Sequence, residues 1–361
     1  MTNLHTTDYT LCSVYLYLTG GCNLACAHCW LSPDYVPSGV DAPEGITLRD
    51  VERIIEGAKP MGLTSMKLTG GEPFLNREVL EIIELIDSHG LSMIIETNGT
   101  LIDNDVADHI AGRNIDTVSV SLESHQSSFH DDFRGVAGAF EDAVRGIELL
   151  VSRDINTQVI MTLVEGNKND IEGVIALARR LGVGSVKVNP VMPVGRGDTL
   201  TRQGGAVPVA QMVGMSRWVD EELSRMYSVD TFFSLPTAFK SITKIMDRKN
   251  AECSILNILG VVATGHISIC GIGRMEPDLV MGDIRTDDIA RVWNESPILA
   301  DLRKAVPERL EGICGKCVLK GVCLGACRAN AYVMSGNLMA PYWICQEAYE
   351  DGIFPETRIV Q

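Results

Sequence analysis

Three cysteines near the start of the chain are the first residues whose type and spacing could do chemistry. They lie in GGCNLACAHCW as Cys22-x3-Cys26-x2-Cys29. One short loop with that spacing can offer three thiolates to a cubane. A [4Fe–4S] cluster normally takes four thiolates, so one iron is left without a local cysteine. The alternative is a zinc loop with a remote fourth ligand, although zinc ligands usually arrive as two pairs.

A second cysteine field lies far downstream. Cys253-x11-Gly265-x4-Cys270 is followed by Cys314-x2-Cys317-x5-Cys323-x3-Cys327 and then Cys345, seven cysteines in 93 residues. Gly265 and the glycines at 271, 312, 315, 321 and 325 suit tight turns around a bulky inorganic core. Zinc is again the competing reading, because Cys314, Cys317, Cys323 and Cys327 could form a four-thiolate site. The one spare thiol, Cys12, precedes the first strand and reads as an ordinary buried cysteine.

The rest of the composition narrows the setting. The chain has 361 residues, 45% of them apolar, and a net charge of −16. So acidic a chain is a poor general nucleic-acid binder, and the same balance argues against anionic lipid. No apolar stretch approaches the roughly 18 residues that span a bilayer, and MTNLHTTDYT lacks the basic and apolar regions of a secretory signal. A cytoplasmic location is expected. In a reducing cytosol, clustered cysteines hold metal more often than they form disulfides.

The elements that would position these residues follow from hydrophobic periodicity. VYLYLT (14–19), SMKLT (65–69), SMIIE (92–96), DTVSVS (116–121), TQVIMTL (157–163) and SVKVN (185–189) read as strands. Helical stripes separate them: one capped by Thr47 with Asp50 three residues on, one capped by Asn76, one at 103–112, one carrying Phe140, Val144, Ile147 and Val151, and one stopped by Gly182. Alternating strands and helices predict an α/β fold with a parallel sheet. Six repeats give a partial (β/α)6 TIM-like barrel, short of the eight of a closed one. The predicted organisation is a barrel over 1–206, a helical connector over 207–250, and a small Cys-rich domain over 251–361.

With its further matches, Cys-x3-Cys-x-aromatic-Cys resembles the signature of the radical S-adenosylmethionine (SAM) superfamily, with His28 at the aromatic position. The resemblance implies that SAM chelates the open iron through its amino and carboxylate groups, and that His28 lies near the adenine. Gly70-Gly71-Glu72-Pro73, after the second strand, is similar to the loop that binds the methionyl amino group. Thr97 and Asn98 follow the third strand. Ser121 and Glu123 end the fourth, where the family commonly contacts ribose or the methionyl group, and Arg134 resembles a cofactor-contacting arginine. Taken alone, Glu72 and Arg134 could equally be surface charges.

The later cysteines resemble the SPASM extension, which holds two auxiliary [4Fe–4S] clusters, making three in all. The family pattern assigns Cys253, Cys270 and Cys327 to the first auxiliary cluster, and Cys314, Cys317, Cys323 and Cys345 to the second. Two cubanes need eight thiolates and this field has seven, so the first auxiliary cluster is expected to have an exchangeable iron.

The chemistry implied is reductive cleavage of SAM to a 5′-deoxyadenosyl radical that takes hydrogen from an unactivated carbon. Auxiliary clusters can accept the leftover electron. SPASM enzymes most often modify ribosomally made peptides or proteins, forming thioether or carbon–carbon crosslinks, and a peptide maturase is the first expectation. An anaerobic sulfatase (formylglycine) maturase is a second reading, weakened because Gly271 stands where that family commonly has Asp. A small-molecule or tetrapyrrole-modifying enzyme is a third, and a non-catalytic iron–sulfur electron carrier a fourth. Only 21 residues precede Cys22, so a leader-bearing substrate is expected to need another surface or a separate leader-recognition protein. A low-potential flavodoxin or ferredoxin is the expected electron donor.

Overall fold

A computed structural model describes residues 9–246 and 253–360. Ten strands form one sheet: β1 Ser13–Tyr17, β2 Ser65–Thr69, β3 Ser92–Thr97, β4 Ile115–Ser121, β5 Thr157–Leu163, β6 Ser185–Pro190, β7 Asp230–Phe233, β8 Ile258–Val261, β9 His266–Ser268 and β10 Val280–Asp283. Their order is β10-β9-β8-β1-β2-β3-β4-β5-β6-β7. From β8 to β7 every pair is parallel, and β8-β9 and β9-β10 are antiparallel. The edge strands β7 and β10 do not pair with one another, so the barrel stays open.

The six sequence-read strands form within about two residues of their expected bounds, as β1 to β6. Helices α1 Leu48–Ala58, α2 Val79–Ser88, α3 Asn104–Ile110, α4 Ser127–Arg134, α5 Ala139–Val151 and α6 Ile171–Leu181 lie between them. Thr47 and Asp50 form a reciprocal capping box on α1, satisfying two orphan N–H groups. Asn76 does not cap α2. Its amide donates to the carbonyls of Leu18 and Ile46 at 2.9 and 2.8 Å, tying the turn after β2 to the loop after β1.

Two features differ from the sequence reading. The predicted helical connector contains α8 Val209–Arg217, with α7 Arg196–Arg202 just upstream of it, but it also contributes β7. DTFF is too short to show a period of two, and pairing with β6 makes it a strand. Likewise β8 adds to the open edge of β1, so the Cys-rich region continues the barrel sheet. The expected boundary at 250/251 lies outside the described residues.

Side chains on β1 to β6 alternate, with one irregularity where β3 meets β4. Leu16, Leu68, Ile95, Val120, Val159 and Val188 are buried beneath the helices; the intervening residues face the barrel interior, as the period of a strand requires. The C-terminal region is pinned to this frame by polar contacts. Arg285 donates to the Asp50 carboxylate at 3.2 Å and to the Gly45 carbonyl at 3.0 Å, while the indole of Trp293 donates to the Tyr9 carbonyl at 3.1 Å. No helix among the described residues is long and apolar enough to cross a membrane.

Candidate functional site

The loop after β1 presents Cys22, Cys26 and Cys29 at the C-terminal end of the strands, where parallel barrels keep their chemistry. Its backbone is stapled to the end of α4: Ala25 N–H donates to Arg134 O at 2.9 Å and Ala27 N–H to Phe133 O at 3.0 Å. Cys22 and Cys26 are buried and Cys29 is half-buried. Each buried sulfur has donors. Leu24 N–H (3.4 Å) and the Asn98 amide (3.8 Å) approach Cys22 Sγ, and Arg134 Nη1 lies 3.4 Å from Cys26 Sγ. Burial, with the Glu72 carboxylate adding to it, pushes the Cys22 thiol up to about 12. Burial also raises Cys26, against the pull of Arg134. Bare thiolates are therefore disfavoured here until a metal centre supplies compensating charge.

The turn after β2 meets this loop backbone to backbone. Gly71 N–H donates to Thr19 O and Glu72 N–H to Gly21 O, both at 3.0 Å. Gly70 has φ +141°, and a Cβ on Gly71 would overlap the carbonyl of Gly21, so only glycine permits this approach. Glu72 is fully buried, and Pro73 behind it is buried too. The Glu72 carboxylate accepts from Thr97 Oγ1 at 2.7 Å, Asn98 N–H at 2.8 Å and Phe74 N–H at 3.2 Å. Burial nonetheless lifts its pKa to about 7. Thr97 and Asn98 thus act on Glu72 and Cys22, a role the sequence did not disclose.

Glu123 and Arg134 are also buried rather than surface charges. They form an ion pair with one another, and Glu123 also accepts from Thr162 N–H at 2.6 Å. His28 Nε2 lies 3.7 Å from Glu123, and its ring stacks on Phe133 with centroids 4.7 Å apart. Burial, then the Arg134 and Arg196 charges, holds His28 neutral. His28 Nδ1, Arg134 Nε, and Arg196 Nε and Nη2 are buried without a partner. Ser121 ends β4 as expected, half-buried. Arg196 was missed in the sequence, although it opens α7 in the loop after β6, where a barrel carries function.

The second field resolves into two groups. Cys314, Cys317, Cys323 and Cys345 line one cavity with Pro236, Ala238 and Phe354. Within it Cys345 shares its proton with Cys314, so Cys314 is the more acidic thiol. Cys253, Cys270 and Cys327 lie near one another, each charge felt at Cys270. Tyr15 and Lys67 border that group. Gly265 (φ +93°) closes the β8–β9 hairpin that carries Cys270. A Cβ on Gly271 would overlap the Tyr17 ring, so the position usually Asp in sulfatase maturases has no room for a side chain. The fully buried Arg328, also unread in the sequence, sits by the four-cysteine group and donates to the carbonyls of Gly325, Leu338 and Ala340. Cys12 is half-buried rather than buried, at the far end of β1. Among the described residues no three Cys, His, Asp or Glu side chains converge as on a single metal ion; Cys314, Cys317, Cys323 and Cys345 instead surround a shared cavity.

Residues 16–193 match the Radical SAM superfamily. The chain is 30% identical to the AdoMet-dependent heme synthase of Methanosarcina barkeri, over 91% of this chain and 94% of that protein. It belongs to the radical SAM superfamily. A second relative of this radical SAM enzyme is the mycofactocin maturase MftC of Mycobacterium ulcerans, 26% identical over 96% of this chain and 90% of that protein. Its fold matches Streptococcus suis SuiB bound to S-adenosylmethionine, with TM-score 0.72 and 17% identity, covering 94% of this chain and 78% of SuiB. Superfamily membership implies SAM and one [4Fe–4S] cluster. The donor set fits both: three thiols, two of them with N–H donors aimed at sulfur, a glycine cradle, and buried polar atoms on His28, Arg134 and Arg196 that lack partners.

Proposed function

We propose that this radical SAM enzyme oxidises a side chain of an acidic tetrapyrrole. The observation that carries this reading is the end-to-end similarity to a heme synthase, 30% identical with more than nine-tenths of both chains covered. Biosynthetic tetrapyrroles carry carboxylate side chains, and the barrel interior is polar and cationic enough to receive one. This reading moves the tetrapyrrole ahead of the peptide first expected from the sequence. Peptide modification, including thioether or carbon–carbon crosslinking, remains the second reading, favoured by the resemblance to mycofactocin maturase over 96% of the chain. A separate leader-recognition protein would belong to that reading alone.

In either case Cys22, Cys26 and Cys29 would hold the SAM-binding cluster. Cys253, Cys270 and Cys327 would hold one auxiliary cluster, and Cys314, Cys317, Cys323 and Cys345 the other. The bound cluster and SAM supply a 5′-deoxyadenosyl radical able to abstract hydrogen from carbon. The chain's own residues position and insulate. Gly70 and Gly71 would offer their backbone to the cofactor's amino group, with Glu72 behind them, fixed by Thr97 and Asn98. Arg134 balances Cys26 and Glu123 together. His28 offers a neutral ring against Phe133. A low-potential flavodoxin or ferredoxin would supply the electron, and the groups held by the C-terminal cysteines would provide an electron acceptor for a net oxidation.

Anaerobically reconstituted enzyme, given dithionite and SAM, tests the reading. It should form 5′-deoxyadenosine and change the mass of a porphyrin carboxylic acid, with or without iron. A mass change only in precursor peptides encoded beside the gene would replace the first reading with the second. Intact clusters that yield no 5′-deoxyadenosine would leave an electron carrier.

A further inference from the structure

The barrel interior is unlike that of a closed (β/α)8 barrel, where branched apolar residues fill the centre in layers. Here the alternation that sends Val186 and Val188 into the outer core turns Lys187 inward. The same alternation turns Tyr15, Lys67, Glu96, Ser119 and Gln158 inward from β1 to β5. Most of these are matched. Lys67 Nζ lies 2.5 Å from Glu96 and sits 5.0 Å over the Tyr15 ring. Gln158 donates to Ser185 Oγ at 2.9 Å and lies 3.3 Å from the Ser119 hydroxyl.

Lys187 is not matched. It makes no hydrogen bond or ion pair among the described residues. Its neighbours in register are Ile160 on β5 and Phe232 on β7, neither of which has a side-chain acceptor. The charged groups that reach it are Lys67, which repels it, and Glu96, which is already paired. Burial and Lys67 together lower its pKa. Asn189, the next inward position toward the mouth, has a buried amide oxygen that also lacks a partner. Lys187 is half-buried and has no acid of its own, so a ligand that brings a negative charge to it gains accordingly.

We propose that Lys187 binds a carboxylate of the substrate inside the barrel, with the Lys67–Glu96 pair as its charge-balanced neighbour. Lys67 and Glu96 pair with one another, so Lys187 is the inward cation left to attract an acidic group of the ligand. The inference rests on the reading that the substrate enters the barrel mouth. It is independent of whether the acid belongs to a tetrapyrrole or a peptide.

The test uses the wild-type holoenzyme without turnover. Trace acetylation by acetic anhydride is followed at Lys187 by mass spectrometry, with butyrate or its neutral isostere butyramide present at matched ionic strength. Butyrate should protect Lys187 saturably, by about five-fold or more, and butyramide should not. Equal protection by both, or by neither, overturns the proposal. Because no substrate is turned over, failure of the tetrapyrrole reading leaves this result unaffected. For whichever acid is turned over, K187Q should raise KM about ten-fold or more, while K187R should keep most of the preference for the acid over its ester or amide. An unchanged KM in K187Q also overturns the proposal, and the two acids, porphyrin and peptide, identify the source.

Discussion

The two cysteine sites are built in opposite ways. The N-terminal site draws three thiols from eight consecutive residues, and its loop is stapled to α4 by two backbone hydrogen bonds. The C-terminal field draws seven thiols from 93 residues, and they sort into two groups only after the β8–β9 hairpin and the later helices have packed. The first is a local device and the second a product of tertiary structure. The difference shows in their arginines. Arg134 reaches back 108 residues to touch Cys26, whereas Arg328 ties together carbonyls within its own region.

The largest effect should separate the two regions by role. C26S is expected to cut 5′-deoxyadenosine formation by about 100-fold or more, while C317S leaves it within a few-fold and abolishes product. Chromatography of both products, with iron content for each variant, checks this. Equal loss of 5′-deoxyadenosine in C317S would erase the contrast.

Removing Arg134 from its buried ion pair costs about 3–5 kcal/mol, and removing Arg328 leaves buried carbonyls unpaired at about 1–3 kcal/mol, so R134Q and R328Q should each lower the denaturant midpoint. Their functional effects should differ. R134Q should also impair SAM cleavage, because Arg134 touches Cys26 and Glu123. R328Q should act chiefly on retention of iron in the C-terminal field, which iron analysis of the two purified variants reads directly.

Acid should strike the N-terminal site first. His130 Nδ1 accepts from Glu123 N–H at 3.1 Å and so must be neutral. Burial, then the Arg134 charge, depresses its pKa to about 3. The unfolded chain binds this proton near pH 6.5, so stability is full above that pH and falls as pH drops from 6.5 toward 3. The loss should reach a few kcal/mol, and H130Q should flatten that part of the pH–stability curve. Denaturant titrations at several pH values read the slope.

The smallest expected effect lies outside both sites. T47A removes the α1 cap and should cost about 1 kcal/mol, visible in thermal unfolding with both cluster contents unchanged.

The same division governs which features are legible in the sequence. The triplet, the Gly-Gly-Glu-Pro turn and six strands are legible because each is written in a few adjacent residues. Thr47 and Asp50 are legible as a cap for that reason, whereas Asn76 has the right residue type but spends its amide on two distant carbonyls. β7 is not legible, because DTFF becomes a strand only through pairing with β6. Arg328 and Arg196 escape notice because burial, not spacing, makes an arginine notable.

By itself the sequence determined that three thiols share a loop, that strands and helices alternate, and that the later cysteines number one short of two full cubanes. Local spacing and periodicity carry that information along the chain. Tertiary structure alone decided that Glu72, Glu123 and Arg134 are buried, that seven distant thiols form a group of four and a group of three, and that Lys187 stands in the barrel without a counter-charge. Burial and charge pairing depend on which strands become neighbours, and SVKVN read in isolation cannot show what faces its lysine across the sheet.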